Sequence, residues 1–346
     1  MLQGKKGDLR KRSNAHPMDS VKALSELAQE LKKRATEVDQ SSQPPVQNLR
    51  DLAAIGHFKF VTEASPGERR RALDILSSGC GVTSFLSSQH EGACRRMFEA
   101  GHPLIERATN GEVWVGVCFA HLRRPSSPVD AIETRTHVIY SGSGPWFSGH
   151  TMMDFVMVGG ATPEGHLLMG LSPMDTPEIQ VRPLSRLAVM NATATVGLDF
   201  NALQVERTDI LVRTNPEELA EKDMHSTVFQ SARSLGAARA AAEFLPESAR
   251  TAVLHHLDEL HQTMDRWDQS PDWSSAAQIR HKALDTASRV IEAAFVNVGG
   301  RSHGLDHPLQ RIAREASFYS TTQLTKQLTQ TVTGGLASEL ERTLCR

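Results

Sequence analysis

The periodicity of apolar residues changes twice along this chain of 346 residues, and that change constrains the fold more than any other feature. Before about residue 104, and again after Pro216, apolar residues recur at the spacing of one face of an α-helix. Between these regions Val113, Val115 and Val117 alternate with other residues, as in a β-strand. The sequence therefore predicts an α+β fold in which a β domain separates two helical regions.

Four parts are expected from these changes. They are a disordered basic tail (1–17), an N-terminal helical domain (18–103), a middle β domain (104–213) and a C-terminal helical bundle (214–346). In the first helical region Pro44-Pro45 and Pro66-Gly67 interrupt the pattern, so several separate helices are expected there.

Composition excludes several classes of partner. The net charge is −2, so no overall field attracts nucleic acid, and no apolar run approaches the ~20 residues that a membrane helix needs. Neither nucleic acid nor a membrane is therefore expected as a partner. The four cysteines (Cys80, Cys94, Cys118 and Cys345) lack CxxC spacing, which indicates reduced thiols in a cytoplasmic protein.

A glycine pair near the C-terminus precedes a long predicted helix. Gly299 and Gly300 permit a sharp turn or the close approach of a ligand to the backbone. Pro308 then stands where a helix can begin, because its missing N–H costs nothing in a first turn. From the pattern alone, a loop that leads into a core helix is the preferred interpretation.

The same segment resembles the C-terminal signature of the acyl-CoA dehydrogenase superfamily. The shared elements of segment 299–319 are Gly-Gly, then Pro, Gln-Arg, Arg-Glu-Ala and Tyr in order. With the helical, β and helical regions, the resemblance extends over about 18–335. It implies FAD bound between the β domain and the bundle, with Gly299 and Gly300 near its adenosine end. It also implies a homodimer or homotetramer acting on a small-molecule substrate, an acyl thioester being one option. FMN and a diffusible reduced flavin are alternatives to FAD.

Two segments of the β domain have counterparts in that superfamily. Trp146-Phe147-Ser148-Gly149 is similar to an element whose Trp borders the flavin ring and whose hydroxyl bonds near flavin N5, so Trp146 and Ser148 take those roles by resemblance. A core Trp beside a turn is the alternative. Segment 119–128 occupies the place of a flavin-wrapping loop.

In that loop the resemblance leaves His121 and Ser126 or Ser127 as the polar residues, and we take His121 and Ser127 as the cofactor-binding candidates. Arg123 and Arg124 are additions to the family pattern. They face FAD pyrophosphate, an acyl carrier or solvent.

The family's catalytic position departs from its usual chemistry. Many relatives place a Glu base nine residues after the Arg of the Arg-Glu-Ala element, and counting from Arg314 leads to Gln323. An amide cannot take a proton near pH 7, so Gln323 is a candidate that lacks the usual function. Other relatives carry the Glu on the first long helix of the bundle. That region offers His225 and Asp223 but no Glu, and His225 is the second candidate.

A missing carboxylate favours a flavin monooxygenase as an alternative reaction. Such enzymes within the superfamily use reduced flavin and O₂ and need hydrogen-bond donors in a closed pocket. His90 resembles a pocket histidine of that branch and is the third catalytic candidate, with a structural helix histidine as the alternative. A structural or binding subunit that has lost its flavin is the remaining option.

Histidines near residue 258 do not predict a metal site. His255, His256 and His261 lie close to Asp258 and Glu259, but the HExxH spacing is absent. A solvated helix face is the preferred interpretation, and no metal is expected.

Overall fold

A computed structural model of the chain describes residues 17–124 and 126–344, with side chains for 20–124 and 126–337. The predicted basic tail lies outside these residues except for Pro17, as does Cys345. Cys80, Cys94 and Cys118 are buried free thiols. No helix among the described residues is long and apolar enough to cross a membrane.

Helices stand on both sides of the sheet in the chain. Those before it are α1 (Pro17–Gln40), α2 (Val46–Ala54), α3 (His57–Glu63), α4 (Pro66–Gly79), α5 (Gly81–Ala100) and α6 (Ile105–Thr109). Those after it are α7 (Pro216–Ala242), α8 (Glu247–Trp267), α9 (Trp273–Val298), α10 (Pro308–Thr321) and α11 (Lys326–Leu344). The predicted α+β class, with a sheet between two helical regions, is confirmed. The periodicity did not predict α3 and α6, which are only one to two turns long.

Caps explain where the longer helices begin. Ser65 accepts a hydrogen bond from the Glu68 N–H while the Glu68 side chain bonds back to Ser65, a capping box that starts α4. Asn215 caps α7 in the same position, with Pro216 as its first residue. Gly101 takes a left-handed φ of 65° and ends α5.

The strands form one mixed sheet. They are β1 (Val115–Cys118), β2 (Val129–Glu133), β3 (His137–Phe147), β4 (Phe155–Ala161), β5 (Leu167–Pro173), β6 (Ile179–Arg182), β7 (Val196–Glu206) and β8 (Ile210–Thr214). Their order is β6-β7-β3-β2-β4-β5-β8, and β1 pairs with β4 in parallel. Strands β2, β6 and β8 were not predicted, because with five residues or fewer they are too short for an apolar alternation to stand out.

Buried ion pairs join the helices before the sheet to those after it. Arg70 of α4 donates to both Asp265 and Asp268 at the end of α8. Asp74, also on α4, accepts from Arg239 of α7 and from His261 of α8. The two helical regions therefore pack together and present one surface to the sheet.

His261 corrects the sequence interpretation of the α8 histidines. His255 and His256 are exposed and lie 3.6 Å from Glu259, as a solvated face requires. His261 is buried, and its Nε2 lies 2.8 Å from Asp74 Oδ2. It occupies the apolar face of the helix, four residues after Leu257, and so faces the core.

Candidate functional site

A short turn after β1 brings the β domain into contact with helix α7 of the bundle. Strand β1 ends at Cys118, and the chain then forms a 3₁₀ turn, Ala120–Arg123, that packs against β3, β4 and α7. Phe119, at the start of this turn, lies beneath the guanidinium groups of Arg96 and Arg123, 5.0 Å and 6.0 Å from its ring centre. The turn therefore projects Arg123 towards α7.

Arg123 and Gln323 converge on one carboxylate. Arg123 Nε donates to both oxygens of Asp223, at 3.0 Å and 2.8 Å, and its Nη2 donates to Oδ1 at 2.8 Å. Gln323 Nε2 donates to the same Oδ1 at 2.8 Å. Asp223 is only 7% exposed, so these charge-assisted bonds stand in a desolvated environment.

This constellation joins three parts of the molecule. Arg123 comes from the β domain, Asp223 from α7, and Gln323 from the turn between α10 and α11. Gln323 has a left-handed φ of 56°, a conformation that costs a non-glycine residue free energy and is kept here by its surroundings. We call Arg123, Asp223 and Gln323 the junction site.

Asp223 is the group that the sequence candidates missed. It was considered beside His225, but only the structure shows which of the two meets Gln323. His225 is exposed, and its ring packs edge-on against Trp267 of α8, 5.2 Å between centres. The two residues are two positions apart on α7 and so point in widely different directions.

His90 lies inside the protein, away from the junction site contacts. Its Nε2 faces the Ala108 carbonyl at 3.0 Å, and its Nδ1 accepts from the Val115 N–H at 3.0 Å. Burial lowers the pKa of His90 to about 4, so the ring is neutral at pH 7. The structure therefore shows it connecting α5, α6 and β1, with both ring nitrogens engaged.

The turn that contains Trp146 has an unusual backbone. Trp146 has a φ of 62° and remains 51% exposed at the end of β3, whereas Ser148 is buried. Ser148 Oγ shares a 2.7 Å hydrogen bond with Thr195 Oγ1, which lies 2.7 Å from Thr193 Oγ1. A flat indole face is thus available to a ligand, while the Ser148 hydroxyl belongs to a chain of hydroxyl groups.

The two loop candidates hold the loop itself. His121 Nε2 lies 2.8 Å from the Gly159 carbonyl, and burial lowers the pKa of this histidine. Its Nδ1 is buried with no partner among the described residues. Ser127 Oγ donates to the Val129 carbonyl at 2.8 Å.

A cavity of about 420 Å³ adjoins the junction site. It is bounded by the loop after β1, the β4–β5 hairpin and the first turns of α7. Its lining includes Arg123, Arg124, Ser127, Leu167, Leu219 and Asp223. A ligand in this cavity can reach the Asp223 carboxylate.

Gly299 and Gly300 lie at the end of α9, on the surface. Gly299 has a φ of 74°, which favours glycine, and a Cβ added at either residue would meet nothing within 4 Å. The backbone is therefore open to an approaching group. The structure does not bring these glycines into contact with the junction site residues.

Solved structures of known proteins share this fold. Butyryl-CoA dehydrogenase from Megasphaera elsdenii aligns with a TM-score of 0.77 and 15% identity, covering 94% of this chain and 99% of that protein. Glutaryl-CoA dehydrogenase from Mycobacterium smegmatis in complex with FADH2 aligns at 0.74 and 15%, covering 94% and 97%. Nitrososynthase from Micromonospora carbonacea var. africana aligns at 0.73 and 17%, covering 95% and 98%.

The chain therefore has the acyl-CoA dehydrogenase fold, as the sequence resemblance predicted. No protein-family model matches the sequence, and no curated protein matches it significantly. At such low identity the structural similarity establishes the fold and not the reaction.

Proposed function

We propose that this protein is a flavin-dependent oxidoreductase whose reaction centre lies beside the junction site. The observation that carries the proposal is the convergence of Arg123, Asp223 and Gln323 where the β domain meets the bundle, in a fold shared with dehydrogenases and with a protein solved in complex with FADH2. Desolvated charges beside a cavity are typical of functional sites.

The residues present fit a flavin in two respects. The exposed Trp146 face at the end of β3 offers a stacking surface for a flat aromatic ring. The open backbone at Gly299 and Gly300 allows close approach of the adenosine end of a flavin nucleotide. We propose that this nucleotide is the one bound by a second copy of the chain. FAD is the preferred flavin, with FMN or a diffusible reduced flavin as alternatives.

When bound, a flavin supplies hydride acceptance from a substrate. The chain must then supply a proton acceptor, which Gln323 cannot be. Asp223 Oδ1 accepts from both Arg123 and Gln323, whereas Oδ2 accepts only from Arg123 Nε. Oδ2 therefore retains acceptor capacity. We propose that Asp223 Oδ2 takes the substrate proton while Arg123 and Gln323 hold the carboxylate in place.

An anaerobic titration tests this role. Flavin-loaded protein mixed with butyryl-CoA should lose its visible flavin absorbance, and Asp223→Asn should slow that loss by roughly a hundredfold or more. Asp175→Asn, at an exposed loop carboxylate, is the matched control and should behave like the unchanged protein. Equal rates for Asp223→Asn and the control would refute a proton-accepting Asp223.

A monooxygenase reaction is the second candidate. It is favoured by the amide at position 323 and by the Arg123 guanidinium, because both are hydrogen-bond donors rather than bases. In that case acyl thioesters leave the flavin oxidised under anaerobic conditions. Reduced flavin and O₂ would instead be needed before any substrate is oxidised.

A further inference from the structure

The facing surfaces of α5 and α7 carry arginines that have no carboxylate partner. Arg233 of α7, Arg96 of α5 and Arg69 of α4 make no ion pair within 4.0 Å among the described residues. We call these three residues, with the facing surfaces of α5 and α7, the arginine slot. Arg69 and Arg96 are partly buried and Arg233 is fully buried, and because buried cations are ordinarily paired, Arg233 above all requires an explanation.

Arg233 is the most isolated of the three. It is 0% exposed, and its Nη2 donates to Ser88 Oγ of α5. Its Nε and Nη1 are buried with no partner among the described residues. The guanidinium lies 5.2 Å from the Phe85 ring centre and 6.0 Å from that of Tyr319. These aromatic faces exclude water from the guanidinium, but they do not replace the oxygen acceptors that water would supply to its N–H groups.

Further unpaired polar atoms lie nearby on the same side of α7. Gln230 Oε1, three residues before Arg233, is also buried without a described partner. Arg69 stacks over the adjacent Phe229 ring at 4.7 Å, and its Nε is likewise unpartnered. A ligand with oxyanion acceptors would satisfy the guanidinium atoms.

Glu91, the carboxylate that acts on Arg233, already has other hydrogen-bond partners. Glu91 attracts Arg233 from beyond ion-pair distance. It lies 2.9 Å from His57 Nε2 and accepts from Ser87. Burial acts to raise the pKa of Glu91, but the bonds from His57 and Ser87 outweigh it and lower that pKa to about 2. Glu91 is thus an anion held by its own partners.

The arginine slot runs from the junction site into the protein. Arg96 of α5 lies over the same Phe119 ring as Arg123 of the junction site, whereas Ser88 of the same helix contacts Arg233. The two helices are therefore antiparallel, with Asp223 at one end of the slot and Arg233 at the other. Ten residues of α7 separate them, a rise of about 15 Å.

There is room part of the way along. A Cβ added at Gly92, between Ser88 and Arg96 on α5, would meet only the Arg96 Nη1, at 3.5 Å. Gly92 is also partly exposed. The side of α5 that carries Ser88 and Arg96 therefore has free space at Gly92.

We propose that the arginine slot binds an elongated substrate with a terminal carboxylate, and that Arg233 receives that carboxylate. The other end of the substrate then lies beside Asp223. The unpartnered Nε and Nη1 groups of Arg233 are free to donate charge-assisted hydrogen bonds to carboxylate oxygens. The inference rests on the proposed function, since it names the substrate class of that site, but its test measures binding alone.

Calorimetry with paired ligands tests the proposal. Suberate and octanoate have the same chain length and differ in one terminal carboxylate. The full-length protein should bind suberate roughly tenfold to a hundredfold more tightly than octanoate. Arg233→Met should abolish that preference, and Arg233→Lys should keep part of it because the charge remains.

Arg250→Met is the control, since Arg250 is an exposed arginine of α8. Circular dichroism and a melting curve establish that each variant is folded, and Ser88→Ala, which removes the hydroxyl that orients Arg233, should weaken the preference by a smaller factor. If the unchanged protein binds both acids equally, or binds neither, the proposal is wrong. It is also wrong if folded Arg233→Met retains the preference. None of these outcomes decides whether flavin binds.

Discussion

Two buried arginines, Arg70 and Arg233, have opposite surroundings in two regions of this protein. At the α4–α8 contact, Arg70 is 2% exposed and reaches Asp265 and Asp268 with bonds of 2.6–3.0 Å. In the arginine slot, Arg233 is fully buried and has no described carboxylate partner. The two side chains have the same chemistry and nearly the same burial.

The difference separates a structural charge from one available to a ligand. A buried ion pair gains back its desolvation cost only through its partner, so Arg70 and its carboxylates depend on one another for stability. Arg233 bears that cost with no carboxylate within ion-pair distance, since Glu91 acts on it only from farther away. A cost retained in this way, at the end of a slot that starts at the junction site, is expected of a binding residue.

The largest effect on stability is expected at Arg70, the buried arginine that has carboxylate partners. Arg70→Met leaves Asp268 without its described cation and Asp265 with Arg71 alone, and should lower the free energy of unfolding by about 3–5 kcal/mol. Urea unfolding followed by circular dichroism measures this. Arg71→Met is the matched control, because Arg71 is 42% exposed and also bonds Asp265, so it should cost at most about 1 kcal/mol.

The second largest effect on stability is expected from a fall in pH, which acts through the buried His90 and not through the arginines. The folded-state pKa of His90, about 4, lies below its unfolded value of 6.5. The unfolded chain therefore binds a proton first as the pH falls, and stability is lost between pH 6.5 and 4. The loss should be roughly 3 kcal/mol from this residue, fully absent above pH 6.5.

His90→Gln checks the assignment. Glutamine can accept from the Val115 N–H and donate to the Ala108 carbonyl, yet it does not titrate. Unfolding free energies measured from pH 7 to 4 should fall less steeply in this variant than in the unchanged protein. Exposed His255→Gln should leave the slope unchanged. A slope that His90→Gln does not reduce contradicts the buried neutral ring. Glu91, with its pKa of about 2, adds its own loss only below pH 4.5.

The smallest effect on stability is expected in the arginine slot. Arg233→Met replaces a buried charge that has no paired carboxylate with an apolar chain. The free energy of unfolding should therefore fall by at most about 1 kcal/mol. The same urea experiment gives the value. A loss as large as that of Arg70→Met would show that Arg233 is a structural residue, and the distinction between the two regions would fail.

The sequence was sufficient to predict the order of the helical and β regions. It was insufficient to predict which charged and polar side chains meet inside the fold. Helical spacing and the Pro44-Pro45 and Pro66-Gly67 breaks predicted several separate helices before the sheet, because these signals are local. The bond between Gln323 and Asp223 joins residues 100 positions apart, and that between His261 and Asp74 spans 187. No spacing rule reports such contacts. His261 could have been assigned to the core from its place among Leu257, Leu260 and Met264.

Two further cases show the same limit. Arg233 lies in the arginine slot, and its partners Ser88 and Phe85 are far away in the chain. Trp146 and Ser148 are neighbours in a motif, yet one is exposed and the other is joined to Thr195. A motif names residue types, whereas their availability depends on packing from elsewhere.

Equilibrium dialysis with oxidised FAD and with chemically reduced FAD tests the central claim most directly. The account predicts close to one flavin per chain in at least one redox state, and weaker binding for Trp146→Ala, which removes the exposed indole face. Saturable binding at this ratio would establish the flavoprotein and justify the substrate titrations. Failure of a folded protein to bind either form would contradict the proposed oxidoreductase.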